Sequence, residues 1–167
     1  MGTGEADFSK SLQQGCDVRD LLWLVVFVAV TLGGGLAIGF LARPGDWYAR
    51  LKKPSFNPPN WIFAPVWSLL YFLIAIAGWR VFGRAPGGAA MVLWWIALAL
   101  NFLWSPIFFR LHRPDVALVV VLALLVADVS FAAAAWPVDT VAALLFVPYI
   151  AWVAFASVLN AAVVRLN

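Results

Sequence analysis

Five long stretches nearly free of charge leave this chain few folds to choose from. They run over residues 21–41, 62–82, 89–109, 116–136 and 141–164, and the only charges inside them are Arg80 and Asp128. Crossing the hydrocarbon core of a bilayer takes about 20 mostly apolar residues, so each stretch is long enough. Lipid offers no hydrogen bonds to the backbone, which restricts spanning segments to helices and closed barrels. Barrel strands alternate apolar and polar residues over about ten positions, and these stretches do not alternate. Composition agrees. The chain is 65% hydrophobic and 11% charged, against about 45–50% and about 25% in soluble domains. The sequence therefore predicts an all-α membrane protein, a five-transmembrane-helix bundle. Residues 1–20 form a polar N-terminal tail and residues 21–167 one transmembrane domain. The first apolar run is longer than the roughly 7–15 residues of a signal-peptide core and reads as a retained helix.

The connections after the second, third and fourth stretches are short, so those neighbours are expected to be antiparallel. The longest connection, 42–61, carries Arg43, Arg50, Lys52 and Lys53 together with Pro44, Pro54, Pro58 and Pro59. Proline fixes the backbone and removes donors, so this loop is expected to be semi-rigid. It has room for one short helix near 46–51, with Asp46 as its cap.

Loop charge suggests an orientation. Lys10, Arg19, Arg80 and Arg84 fall on one side of the bundle. Arg43, Arg50, Lys52, Lys53, Arg110, Arg113 and Arg165 fall on the other. The excess places the first loop and the C-terminus in the cytoplasm if the membrane is a translocon-fed inner membrane. Composition leaves a bacterial inner and outer membrane both open. A net charge of +3 fits basic loops and gives no reason to expect nucleic acid. Cys16 is the only cysteine and His112 the only histidine, so neither an internal disulfide nor a cysteine-based metal site is expected. His112, between Arg110 and Arg113, reads as an interfacial loop residue.

Several features inside the spans have two readings. Pro65, Pro106 and Pro148 either kink their helices and open space between them or, for Pro65 above all, start a helix. Asp128 is costly in lipid unless paired, neutralised or wet. It serves either a proton relay or simply reaches toward the interface, about two turns away at Trp136. Gly35 and Gly39 form a small-xxx-small pair that lets helices approach, within the chain or across a homodimer seam.

The chain has ten tryptophans, and Trp67, Trp104 and Trp152 lie well inside apolar runs. Tryptophan is ordinarily an interface residue in membranes. On the second helix Phe63, Trp67 and Tyr71 recur every four residues. On the third, Asn101, Trp104 and Phe108 share a face. On the fifth, Trp152, Ala156, Leu159 and Asn160 do so. Converging faces would enclose an aromatic cavity with two amides to orient a flat apolar ligand. Without convergence the same residues pack the core. Ala156, small among large rings, favours a cavity.

The segments Asp46-Trp47-Tyr48, Lys53-Pro54-Ser55-Phe56-Asn57-Pro58-Pro59-Asn60-Trp61 and Pro65-Val66-Trp67-Ser68-Leu69-Leu70-Tyr71 together resemble the first-loop signature of the tryptophan-rich sensory protein family, also called TspO, translocator protein or peripheral benzodiazepine receptor. Residues 101–109, Asn-Phe-Leu-Trp-Ser-Pro-Ile-Phe-Phe, resemble its third-helix motif, and residues 148–160 its fifth-helix motif. The resemblance implies a five-helix bundle, often dimeric, that binds porphyrins such as protoporphyrin IX in a pocket closed by the first loop. The ligand-contacting positions it implies are Tyr48, Trp61, Trp67, Asn101, Trp104, Trp152, Ala156 and Leu159. Trp67 and Trp152 match positions implicated in light-dependent porphyrin degradation. No resident cofactor is implied. Two departures matter. Phe56 stands where the family usually has tryptophan, which weakens any photochemical role there. Ala161 stands at the tyrosine of the family's cholesterol-recognition pattern, so cholesterol binding is not expected.

Three functions follow as expectations. The first is a porphyrin-binding sensor or transporter in which the rings stack on the macrocycle and Arg50, Lys52 or Lys53 attract its propionates. The second is light-driven breakdown of the bound porphyrin by Trp67 and Trp152; the chain has no conventional acid–base or nucleophile set for dark chemistry. The third is a ligand-regulated membrane interaction protein. No internal repeat of the kind many transporters carry is present.

Overall fold

A computed structural model describes residues 18–167, all helix and loop, with no strand among the described residues. Residues 1–17, with Lys10 and Cys16 and most of the expected polar tail, lie outside them. Five helices are long and apolar enough to span: α1 (Val18–Leu41), α3 (Asn60–Phe82), α4 (Ala89–Phe109), α5 (Pro114–Ala135) and α6 (Thr140–Leu166). The short helix α2 (Asp46–Arg50) sits in the first loop. The apolar runs thus become the expected five spans.

Local chemistry sets the ends. Pro59, with its extended ψ, precedes α3 at Asn60, and Pro114 occupies the first turn of α5, where its missing N–H costs nothing. Asp139 caps α6 by accepting the Ala142 N–H at 3.0 Å. The same carboxylate takes a hydrogen bond from Arg80 Nε at 2.9 Å and pairs with Arg84. It therefore pins the end of α3 to the start of α6. Burial pushes the Asp139 carboxyl up, but the Ala142 N–H and the two guanidiniums outweigh it and hold the group below its ordinary value. Asp46, expected as a cap, lies instead in the first turn of α2 with Gly45 before it, and its side chain caps nothing. Pro65 is not at a helix start either. It lies within α3, which has already begun at Asn60. There it removes the donor that would serve the Trp61 carbonyl.

α5 packs along both α4 and α6, and α3 lies against α6. Three close approaches depend on missing side chains. A β-carbon on Gly78 of α3 would overlap the Trp94 indole of α4, whose Nε1 donates to the Ile74 carbonyl at 2.9 Å. In α1, the backbone at Gly35 lies against the Tyr71 ring and that at Gly34 against Phe102. α1 carries a wide π-turn over Ala29–Gly33 just before them, where the Thr31 hydroxyl donates back to the Phe27 carbonyl at 2.9 Å and glycine loosens the chain. Of the expected small-xxx-small pair, only Gly35 makes an intramolecular approach. The position of Gly39 faces open space.

Candidate ligand-binding site

The second, third and fifth spans do bring their aromatic and amide faces together. Tyr71 of α3 donates its hydroxyl to Asn101 Oδ1 at 2.8 Å, and Asn101 Nδ2 donates to the Tyr149 hydroxyl at 2.8 Å. This row ties α3, α4 and α6 across the bundle. Asn101 is 5% exposed and Tyr149 1%, so the row is sheltered and its bonds compete little with water. Beside it Trp67 and Trp152 meet at 87° with centroids 6.5 Å apart. Trp67 also touches Tyr71 at 5.3 Å and Tyr149 at 6.4 Å. Phe63 reaches Trp152 from one turn earlier. Edge-to-face geometry of this kind is the favoured arrangement of aromatic quadrupoles. Neither Trp67 nor Trp152 is fully buried.

Trp104 links this cluster to a second one under the first loop. Its ring stacks on Phe108 at 5.1 Å, and its Nε1 donates to Asn160 Oδ1 at 3.1 Å. Asn160 Nδ2 in turn donates to the Pro114 carbonyl at 2.7 Å. Tyr48 lies edge-on to Phe109 at 5.2 Å, with the Lys53 ammonium 4.1 Å above its ring. Burial pushes the Tyr48 phenol above its ordinary value, with Asn57 pulling it partly back. Trp47 stacks on His112 at 4.4 Å. The Lys52 backbone exchanges two hydrogen bonds with the Asn167 amide, at 3.0 and 3.1 Å. The loop is thus fastened to the α4–α5 turn and to the end of α6.

Of the eight expected positions, Trp67, Asn101, Trp104 and Trp152 stand in these linked clusters. Ala156 packs against the same buried core as Trp104 and Trp152. Tyr48 belongs to the second cluster, under the loop. Leu159 is half-buried on α6. Trp61 projects outward from the first turn of α3, 73% exposed, and joins neither cluster. The two amides expected to orient a ligand already have partners inside the bundle. Asn101 and Asn160 are each bonded at both ends of the side chain within the bundle, so a ligand engaging either must displace an existing partner. Tyr149 was not singled out by sequence, although it lies three residues before Trp152 and so on its face. His112 is an exposed loop residue as expected. Its backbone takes a positive φ of 54°, and its ring is used to hold Trp47.

Five membrane-crossing helices around a row of tyrosines, an amide and tryptophans define an integral, multi-pass membrane protein with an aromatic interior. The sequence profile of the TspO/MBR family matches residues 26–166. Similar proteins include protein CrtK of Rhodobacter capsulatus, 43% identical over 87% of this chain and 92% of its own length. The tryptophan-rich sensory protein of Cereibacter sphaeroides is 39% identical over 81% and 85%. The human translocator protein is 40% identical over 84% and 86%. The chain belongs to the TspO/MBR family.

Proposed function

We propose that this chain binds a porphyrin or a related flat tetrapyrrole between its helices and senses or carries it. The observation that carries this reading is the Trp67–Trp152 pair, two incompletely buried rings beside the Tyr71–Asn101–Tyr149 row. A macrocycle offers a π-face for the indoles and carboxylates for basic groups. Lys53 over Tyr48, with Arg50 and Lys52 nearby in sequence, supplies those basic groups on the loop that would close over the ligand. The names translocator protein and tryptophan-rich sensory protein, borne by relatives, fit a carrier or a sensor.

The test is an anaerobic titration in the dark with protoporphyrin IX, read from porphyrin absorbance. Saturable binding is expected. Each aromatic contact contributes about 0.5–1.5 kcal/mol beyond area. The variant with Trp67, Trp104 and Trp152 all changed to Phe should therefore bind about tenfold more weakly. Equal affinity in that variant refutes the site. The closeness of Trp67 and Trp152 also supports a second reading, in which an indole gives an electron to the light-excited macrocycle and dioxygen serves as oxidant. Under light and air the wild type would then bleach its ligand faster than W67F/W152F. Equal bleaching removes this reading and leaves binding untouched.

A further inference from the structure

One buried acid takes no part in the site above. Asp128 lies on the inward face of α5, 0% exposed, between the buried Leu124 and Phe131 one turn away on either side. Both its carboxyl oxygens are buried without a hydrogen-bond partner among the described residues. Its side chain reaches no solvent. Buried polar groups in folded proteins are nearly always paired, and an intramembrane acid without a partner calls for a role. The elements packed on α5 are α4 and α6. α4 contains no ionisable side chain, and α6 offers only Tyr149 and, at its far end, Arg165. Among the described residues no cation is therefore at hand for a salt bridge.

Phe131 of α5 meets Phe146 of α6 with ring centroids 4.0 Å apart, and one turn further along these antiparallel helices Asp128 comes level with Tyr149. The Tyr149 oxygen accepts from Asn101, and its own hydroxyl hydrogen has no acceptor among the described residues. A donor without an acceptor thus stands near an acceptor without a donor, at the end of the row that continues through Asn101 to Tyr71 beside Trp67. We propose that Asp128 is a proton-exchanging group coupled, through Tyr149 and Asn101, to occupancy of the aromatic site by an anionic ligand. The coupling rests on the binding reading above. The carboxylates of a bound anion add negative charge to the low-dielectric interior that holds Asp128, where like charges repel strongly. Binding an anion there therefore takes up a proton at Asp128. By linkage, affinity for the anion rises as pH falls. An uncharged ligand of the same shape exerts no such effect.

The experiment compares proton uptake and affinity for protoporphyrin IX and for its uncharged dimethyl ester, in the wild type and in Asp128→Asn. With the diacid, the wild type should take up more protons than D128N. Its affinity should vary more steeply with pH than that of D128N, by up to about tenfold per pH unit, the limit for one linked proton. The ester should not distinguish the two proteins. Equal proton uptake by wild type and D128N with the diacid overturns the proposal. If D128N does not fold, the infrared carbonyl stretch of a protonated carboxyl in the wild type decides. Growth of that band on adding the diacid supports the coupling, and an unchanged band overturns it. If neither porphyrin binds, the binding reading fails on its own. Titration of the same band with pH in the ligand-free protein then upholds proton exchange at Asp128, and a band indifferent to pH overturns it.

Discussion

Removing one oxygen from the interhelical row gives a measurable test of how much it holds the site. Tyr149→Phe deletes the acceptor of the Asn101 Nδ2 bond, 2.8 Å long, and leaves the Tyr71 bond to Asn101 Oδ1 intact. A buried donor left unsatisfied costs about 1–3 kcal/mol. Side-chain bonds between membrane helices average about 0.6 kcal/mol, because the unfolded chain in a membrane or micelle also finds partners. Asn101 is 5% exposed and has nowhere to turn its amide without losing Tyr71 as well. We therefore place Y149F at about 1–2 kcal/mol, the middle of the combined range. In an Asn101→Leu background the orphaned donor no longer exists, and the same substitution should cost less than about 0.5 kcal/mol. The assay is reversible unfolding in mixed micelles of mild detergent and dodecyl sulfate, followed by tryptophan fluorescence. The two backgrounds form a double-mutant cycle. Should Y149F cost the same in both, the row contributes nothing through this bond, and its description as the brace of the site is wrong.

Three further outcomes follow from contacts already described. Gly35→Ala forces a β-carbon into the Tyr71 ring, which its bond to Asn101 prevents from swinging aside; a loss of about 1–3 kcal/mol is expected in the same assay, whereas Gly39→Ala, with open space around it, should fall within about 0.5 kcal/mol. Gly78→Ala drives a β-carbon into the Trp94 indole. It should lower stability by a similar 1–3 kcal/mol or so and shift the emission of Trp94 as its bond to Ile74 loosens; an unchanged spectrum and midpoint would contradict the close approach. Asp139 titrates below its ordinary value in the folded chain, so its contribution is present above the unfolded carboxyl value of about 3.9 and is lost as pH falls through the folded value. Wild type should therefore lose stability relative to Asp139→Asn on acidification below about pH 4, and parallel pH profiles would show that the Arg80–Asp139–Arg84 group does not operate.

The bundle was legible because lipid imposes a length and a sign on every spanning segment. Its helix ends were less so. Asn60 and Pro114 are polar or turn-forming residues that hydropathy excludes, yet each opens a helix. The aromatic faces could be read from fourfold spacing, and Trp67, Asn101, Trp104 and Trp152 do come together. What spacing cannot reveal is which groups satisfy one another. The partners of Asn101 and Asn160 are invisible to spacing because they lie on other helices, 30 to 56 residues away. Asp128 was ambiguous for a different reason. α5 is apolar on all sides, so nothing in its pattern marks the inward face, and only packing against α4 and α6 turned the acid inward.

The meeting of Gly35 with Tyr71 carries a mechanical consequence. Where side chain meets side chain, a change of rotamer can absorb a small sliding of one helix past its neighbour. At Gly35 the backbone of α1 bears directly on the ring, and the ring's far end is moored to Asn101. A tilt of α1 there has no cushion. It is delivered as a push on the phenol, and the outermost helix, whose spanning window is only 17% buried, thereby acts as a stiff lever on the polar row at the centre.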